Sequence, residues 1–336
     1  MISVIIAIFL LSLVLTGVLR RYALSRSIID IPNSRSSHTL PTPRGGGVAI
    51  VLSFLLALLV GPFTQLVDLS PIIAIVGSGA LIAVIGFIDD HGHIPARWRL
   101  LGHFLAAAWS MYWLQGLPPI DILGLSINLH WFGYILGAVF LVWMLNLYNF
   151  MDGIDGLAGA EAVQVCLGAC LLYICSDYEG LVWQPLMLAS AAFGFLVWNL
   201  PPAKIFMGDA GSGFLGIVLG ILAIQAGWSH PNLLWAWLIL LGVFIVDASF
   251  TLVRRLIRGE KVYEAHRSHA YQFASRLVGR HAPVTLTVSV INLAWLLPWA
   301  WFVVAFDLDG FLGLVIAYTP LFLLAVKFRA GQKEDF

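Results

Sequence analysis

The sequence has few charged residues and few cysteines for its length. Only 11% of its 336 residues are charged, whereas 60% are hydrophobic, and the mean hydropathy is +0.92. This balance excludes an ordinary soluble domain, in which about 25% of residues are charged. Only three cysteines are present, and all lie in one apolar run: Cys166, Cys170 and Cys175. The run brings no other ligand-type residue to the helix face shared by the first two. They are therefore predicted as small buried side chains rather than a disulfide framework or a metal site.

Internal repeats, low-complexity tracts and long interdomain linkers are also missing, whereas long apolar runs are abundant. A membrane-spanning helix needs about 20 mostly apolar residues. The chain has eleven candidate runs, at 2–19, 47–66, 71–88, 100–116, 131–148, 157–175, 182–198, 211–227, 232–253, 285–305 and 310–327. The first lacks a basic start and an A-x-A-like cleavage site, so it is predicted as a retained helix. We predict an all-α polytopic integral membrane protein with about eleven transmembrane helices and a single domain over 1–336.

Lysine and arginine are absent from every second gap between the runs. All eighteen fall in the other gaps or at the C-terminal end, and the gaps without them hold six acids instead: Asp68, Asp121, Asp177, Glu179, Asp307 and Asp309. Short loops rich in basic residues stay in the cytoplasm. The pattern therefore predicts an external N-terminus, a cytoplasmic C-terminus and a cytoplasmic working face. The one longer external gap, 117–130, alternates apolar and polar residues and predicts a small hairpin.

Nearly all residues capable of chemistry lie in the predicted internal loops, where they form five clusters. In the first, Arg44 precedes three glycines, 45–47, whose backbone N–H groups can approach an anion closely. In the second, Asp89 and Asp90 directly follow an uncharged run. Adjacent carboxylates at a membrane boundary suit a divalent metal or a proton acceptor. The alternatives are a rigid loop for the first cluster and a helix-terminal charge pair for the second.

The third cluster contains Asn149, Asp152 and Asp155, spaced three residues apart in a gap without any basic residue. A helical turn would present them as one polar stripe. Two uncompensated acids at a membrane face favour a bound ligand over a solvated loop.

The fourth cluster lies between two predicted spans and combines four kinds of side chain: Asn199, Lys204, Phe206 and Asp209. Lys204 can neutralise a phosphate, Phe206 can stack on a planar base, and Asp209 can ligate Mg²⁺. The fifth cluster, in the most basic loop, contains His266, Arg267 and His269, whose imidazole and guanidinium groups suit phosphate binding.

Acids for a divalent cation, basic groups for phosphates and a ring for a base indicate two substrates that meet at the membrane face. One is a nucleotide-activated molecule in water, and the other is a phosphate-headed lipid. The main alternative is a transporter or flippase of lipid-linked sugars, which would carry polar residues along a path near mid-membrane. Asp247 is the acid that this interpretation places well inside a span.

Four motifs carry a resemblance to the bacterial polyprenyl-phosphate N-acetylhexosamine-1-phosphate transferases. They are Pro-Thr-Pro-Arg-Gly-Gly-Gly, Asp-Asp, Asn-x-x-Asp-Gly-x-Asp-Gly and Phe-Met-Gly-Asp-x-Gly-Ser, and they occur in family order between residues 30 and 272. The sequences at 34–38 and 266–269 look most like those of members that initiate O-antigen synthesis. The resemblance implies transfer of sugar 1-phosphate from a UDP-N-acetylhexosamine, or a 6-deoxy relative, to undecaprenyl phosphate. UMP is released, and the product begins O-antigen or a related surface polysaccharide.

The resemblance also implies roles for single residues. Asp209 matches a ligand of Mg²⁺, with Mn²⁺ as the alternative ion, Phe206 matches a ring that stacks on uracil, and Asp155 matches a contact to the uracil edge. Further nucleotide-site positions are matched by Asn149, Asp152 and Asn199. Asp89 and Asp90 match a catalytic acidic pair, in which one acts as a base or both position metal and phosphate.

The implied active site faces the cytoplasm from the bacterial inner membrane. It is built from loops at about 23–46, 89–99, 149–156, 199–212 and 254–284. Nucleic acid is not an expected partner, and relatives commonly form homodimers. Many relatives carry three consecutive histidines in the fifth motif, whereas this chain has His266, Arg267, Ser268 and His269. Which histidine meets the diphosphate, and whether Arg267 replaces one imidazole, stays open, and muramoyl-pentapeptide is not the expected substrate.

Overall fold

The computed structural model describes residues 2–32, 37, 40–60, 69–92, 94–260 and 266–332. The sequence variant at 34–38, apart from Ser37, lies outside the described residues. Short strands form two hairpins: β1 (Ile29–Asp30) with β2 (Thr42–Pro43), and β3 (Ile120–Ile122) with β4 (Leu125–Ile127). The helices in the described part are α1 (Ile2–Ser25), α2 (Val48–Val60), α3 (Leu69–His91), α4 (Ala96–Leu114), α5 (His130–Met151), α6 (Leu157–Ile174), α7 (Trp183–Asn199), α8 (Asp209–Ser229), α9 (Pro231–Leu240), α10 (Gly242–Ile257), α11 (Ala270–Val278), α12 (His281–Ile291), α13 (Leu297–Ala305) and α14 (Gly310–Lys327).

The prediction of an all-α polytopic membrane protein is confirmed. Among the described residues, eight helical segments are long and apolar enough to cross a membrane, or nine if the bent pair α9–α10 is one span. Every predicted run contains one of these helices or a shorter one. The short helix α2 and the arginine-bearing α4 do not meet this criterion, so the count of eleven spans and their orientation remain predictions.

The ninth and tenth runs depart from simple straight spans. The ninth, predicted at 232–253, bends by 72° between α9 and α10. Its backbone leaves helical geometry at Leu241, and Gly242 then packs so closely that an added Cβ would lie 3.0 Å from the ring of Tyr318. The tenth contains a π-helical turn, Asn292–Leu296, which joins α12 to α13.

Helix α8 forms the centre of the bundle, and 94% of its most apolar window is buried. Glycines let neighbouring helices approach it closely: an added Cβ on Gly216 would lie 2.6 Å from the carbonyl oxygen of Met144 on α5. Because α8 is surrounded on all sides, its first residue, Asp209, is held among the loops that carry the five clusters.

Two of the predicted external gaps contact α9 at one end of the bundle. The indole nitrogen of Trp235 donates to the Asp121 carbonyl oxygen (2.9 Å), and the Asn232 amide donates to the Asp307 carboxylate (2.8 Å). The predicted hairpin is confirmed at this end by the antiparallel pair β3–β4. Cys166 and Cys170 are buried, as predicted, whereas Cys175 is exposed, so the prediction of burial is wrong for this residue, which follows the last residue of α6.

Candidate active site

Three aspartates and two arginines from four segments meet at the N-terminus of α8. Arg44 lies 2.9 Å from Asp90 (Nε to Oδ1) and 2.5 Å from Asp209 (Nη2 to Oδ1). Arg99 lies 2.5 Å from Asp89 (Nη1 to Oδ2) and 3.8 Å from Asp209 (Nη1 to Oδ2). We call these five residues the acid–arginine cluster. Ionised, the three carboxylates exceed the two guanidiniums by one negative charge.

Asp90 is the most buried member of the cluster, with its side chain only 2% exposed. Its two carboxylate oxygens accept the backbone N–H groups of Asp209 (3.0 Å) and Ala210 (3.3 Å). A carboxylate at this position stabilises the positive end of the helix. Asp90 therefore orients the start of α8, while Asp209, 22% exposed, keeps an accessible carboxylate.

Asp89 borders a cavity of about 170 Å³ between α3, α4, α5 and α8. Its carboxylate accepts the N–H of Ile94 and pairs with Arg99. The cavity is lined by both polar and apolar side chains. The polar ones are Asp89, Arg99, His103, Asn146, Asn149 and Asp209, and the larger apolar ones are Ile82, Ile85, Leu100, Leu145 and Phe150.

The triple glycine docks the first loop onto the fourth cluster. Gly46 and Gly47 donate their N–H groups to the carbonyl oxygens of Phe206 and Met207, both at 2.9 Å. An added Cβ on Gly47 would lie only 2.5 Å from the Cα of Gly211. These two N–H groups bind the protein's own backbone, so the expectation that they face an anion is wrong. Their close packing is what brings Arg44 to the acids.

The third cluster is divided between two neighbours instead of forming one stripe, because α5 ends at Met151. Asn149 accepts the Ser212 hydroxyl (2.7 Å) and borders the cavity. The carboxylate of Asp152 has neither a hydrogen bond nor an ion pair with any other described residue. Burial, opposed by the charge of Arg44 and reinforced by nearby Asp209, raises the pKa of Asp152 well above its usual range.

Asp155 and the fourth cluster form a second group beside the first. The carboxylate of Asp155 accepts the N–H of Ala203 (3.0 Å) and contacts His281. Asn199 is buried and binds backbone on both sides, accepting from Gly156 and donating to Ile205. Asn199 therefore holds the third and fourth clusters together.

Lys204 and Phe206 differ in whether they contact a segment next to the acid–arginine cluster. The Lys204 ammonium lies over the Trp198 ring, 5.6 Å from its centroid, and makes no ion pair in the part of the chain that the structure describes. Phe206 is half-buried, and its backbone N–H donates to the carbonyl oxygen of Pro43 (2.8 Å), next to Arg44.

In the fifth cluster the two histidines have different environments. His269 is 2% exposed, and its Nδ1 lies 3.3 Å from the Asp247 carboxylate. Asp247 also accepts the N–H groups of Ala270 and Tyr271, so it organises the start of α11. His266 is half-buried and stacks on His269, with 4.9 Å between ring centroids.

His266 is the histidine better placed to meet a ligand. Both histidine rings lie near that of Phe150, which borders the cavity, at 6.3 Å for His266 and 6.2 Å for His269, but only His266 is partly exposed. Burial, together with the charges of His269 and Arg255, lowers the pKa of His266 to about 3. The N–H of Ser268 donates to its Nδ1, which leaves Nε2–H as a neutral donor. Arg267 is half-buried, and its carbonyl oxygen accepts from Arg276.

Sequence reasoning missed three residues. Arg99 lies ten positions after Asp89, and that spacing alone does not predict the ion pair between them. His281 has no motif around it. Glu161 lies inside the sixth run, so Asp247 is not the only acid within a span. Its carboxylate, only 1% exposed, accepts from the amide of Asn292 in the π-helical turn (2.6 Å).

The residues fit a cation that binds together with a phosphate substrate. Among the described residues, no three Asp, Glu, His or Cys side chains meet in an arrangement that could hold a metal ion. Mg²⁺ is commonly held by one or two carboxylates, substrate phosphates and waters. Asp209 offers hard oxygen donors within a group of excess negative charge, which meets this requirement.

Comparisons with known proteins agree with the motifs. The family model for glycosyl transferase family 4 matches residues 72–227. A probable undecaprenyl-phosphate N-acetylglucosaminyl 1-phosphate transferase of Bacillus subtilis is 30% identical over 289 residues, covering 84% of this chain and 78% of that protein. A decaprenyl-phosphate N-acetylglucosaminephosphotransferase of Mycolicibacterium smegmatis is 30% identical, covering 81% and 75%. A phospho-N-acetylmuramoyl-pentapeptide-transferase of Halalkalibacterium halodurans is 28% identical, covering 77% of this chain and 83% of that protein.

Proposed function

Because the chain belongs to glycosyl transferase family 4 and matches polyprenyl-phosphate sugar-1-phosphate transferases over most of its length, we propose the following activity. The protein transfers sugar 1-phosphate from a UDP-N-acetylhexosamine, or a 6-deoxy relative, to undecaprenyl phosphate and releases UMP. The observation that carries this proposal is the acid–arginine cluster, three of whose members, Asp89, Arg99 and Asp209, line a cavity together with apolar side chains.

The cavity suits the lipid phosphate better than a soluble substrate. Its lining has Arg99 beside Asp89 and Asp209, and α3, α4 and α5 also contribute apolar side chains to it. A guanidinium matches phosphate oxygens as well as it matches carboxylates. Arg99 therefore binds the acceptor phosphate, and the apolar walls receive the first part of the lipid chain.

In the reaction, an oxygen of the lipid phosphate bonds to the β-phosphorus of the UDP-sugar, and the bond between that phosphorus and the bridging oxygen breaks. A phosphate monoester is already a nucleophile at neutral pH, so Asp89 and Asp90 act by positioning. Arg44 balances charge as UMP leaves, and the neutral His266 donates to the diphosphate from Nε2. Asp152 lines the nucleotide side, where Phe206 stacks on uracil and Asp155 accepts from its edge, and Asn149 lies between that side and the cavity.

Mg²⁺, or Mn²⁺ in its place, would be held by Asp209 together with the substrate's phosphates. When bound, such an ion neutralises charge that develops on the leaving oxygen, which is worth several kcal/mol in related sites.

The protein is also assigned to a particular biosynthetic pathway, which is a more specific proposal than the reaction alone. The motif His266–Arg267–Ser268–His269 differs from a triple histidine, and it motivates assignment to O-antigen or related surface polysaccharide synthesis at the bacterial inner membrane. A homodimer is part of the same proposal.

The test is an assay of membranes containing the chain with undecaprenyl phosphate and a panel of UDP-sugars. We expect one UDP-N-acetylated sugar to yield a lipid-linked diphosphate product and UMP. Movement of a preformed lipid-linked sugar across vesicles without any new product would contradict the proposal and favour the transporter alternative.

A further inference from the structure

Helix α12 contacts Asp155 at two points one helical turn apart. Nδ1 of His281 lies 3.1 Å from Oδ1 of Asp155, and the hydroxyl of Thr285 donates to the Asp155 carbonyl oxygen (2.9 Å). Residues four apart share a helix face. One face of α12 therefore holds both the side chain and the backbone of Asp155.

Both ring nitrogens of His281 have polar partners. Nε2 lies 3.0 Å from the carbonyl oxygen of Ser37 in the first loop, while Nδ1 lies 3.1 Å from the Asp155 carboxylate and 3.3 Å from the backbone nitrogen of Asp155. Nδ1 donates to the carboxylate when it carries a proton and accepts the Asp155 N–H when it does not. In either form His281 holds Asp155. The two side chains are only 14% and 12% exposed.

The Asp155 carboxylate has a partner on each side in this arrangement. Oδ1 faces His281 and Oδ2 accepts the N–H of Ala203. A carboxylate held from two sides keeps one orientation, so little side-chain entropy is lost when a ligand donates to it.

We propose that His281 and Thr285 are positioning residues for nucleotide recognition: they fix the Asp155 carboxylate so that it accepts from the base edge of the UDP-sugar. This inference rests on the proposed function, in which Asp155 faces uracil. It adds α12 to the site, although no motif marks that helix.

The first test measures UDP binding to the purified protein by calorimetry, alongside KM and kcat for transfer. His281→Ala should weaken UDP binding and raise the donor KM by about tenfold, since a lost hydrogen bond to a charged group has about that effect. The KM for undecaprenyl phosphate should stay unchanged. His281→Gln, which keeps one donor, should recover part of the loss, and it serves for the same comparison if the alanine variant does not accumulate.

Thr285→Val should weaken UDP binding in the same direction, and Thr287→Val is its matched control. Thr287 lies on the same helix, is exposed and donates only to the carbonyl oxygen of Pro283. The control should therefore bind UDP like the wild type. Equal effects of the two threonine substitutions would overturn the proposal.

A double-mutant cycle separates positioning from general stability. If His281 acts through Asp155, adding His281→Ala to Asp155→Asn should change UDP affinity much less than His281→Ala does alone. Additive effects, or a change confined to the lipid KM, would overturn the inference. Wild-type protein that binds UDP but forms no lipid product would contradict the proposed function instead and leave the binding comparison intact.

Discussion

At the residue scale, the five aspartates of the candidate site have different roles because their environments differ. Asp90 is buried and binds the start of α8, and Asp155 is held by α12 and Ala203. Asp209 remains partly exposed beside Arg44. The sequence indicated all of these acids but could not rank them, because their burial depends on contacts between residues that are far apart in the chain.

Asp209→Asn should reduce transfer by at least about a thousandfold, because charge neutralisation at the leaving group is worth several kcal/mol. Membrane insertion and elution as a folded species should be unchanged. Asp177→Asn, at an exposed acid in an external gap, is the matched control and should be fully active. Wild-type turnover by Asp209→Asn, with the same Mg²⁺ dependence, would contradict the assigned role.

The lowered pKa of His266 gives a prediction about stability. The unfolded chain binds a proton at this histidine near pH 6.5, whereas the folded protein does so only near pH 3. Between these values the unfolded state binds more protons, so this histidine reduces stability as the pH falls.

His266→Gln removes the titration and keeps a neutral donor. The thermal midpoint of the wild type should therefore fall more than that of His266→Gln between pH 7 and pH 4.5, while the two should change in parallel above pH 7. A parallel change over the whole range would mean that His266 is not held in its neutral form.

At the element scale, the existence and type of the helices were predictable and their distortions were not. Apolar runs of the right length predicted the helices, and alternation predicted β3–β4. The bend after Leu241 depends on packing against α14, and the π-helical turn accompanies the buried contact between Glu161 and Asn292, so neither has a local signal. The triple glycine indicated a close backbone approach, but not that its partner is α8.

Gly47→Ala should test that packing. An added Cβ would lie 2.5 Å from the Cα of Gly211, and overpacking of this kind typically costs about 1–3 kcal/mol. We expect a lower thermal midpoint and lower activity, because the first loop carries Arg44. Gly180→Ala is the matched control, since its Cβ would meet no atom within 4 Å. Equal midpoints for both variants would show that this close approach is unimportant.

At the scale of the whole molecule, the distribution of Lys and Arg among the gaps matches the division of the loops between the two ends of the bundle. The clusters rich in chemistry contact one another at one end, and two of the acid-bearing gaps contact α9 at the other. Which end faces the cytoplasm follows only from the charge pattern. The helix bundle itself carries no information about orientation.

Cysteine labelling in intact cells tests that orientation. In a Cys175→Ser background, which removes the exposed native thiol, a cysteine at Asp177 should react with an impermeant reagent added outside. One at Arg258 should react only after the cells are opened. The reverse pattern would put the acid–arginine cluster on the wrong side for a cytoplasmic UDP-sugar.

The most direct test of the central claim follows the β-phosphate of the donor. Purified protein is given undecaprenyl phosphate and the accepted UDP-sugar, labelled both in the sugar and in the β-phosphate. The account predicts that both labels enter the lipid in equal amounts and that one UMP is released for each lipid product. Release of UDP, with the sugar label alone in the lipid, would contradict it, because the acid–arginine cluster would then support transfer of a sugar rather than of sugar 1-phosphate.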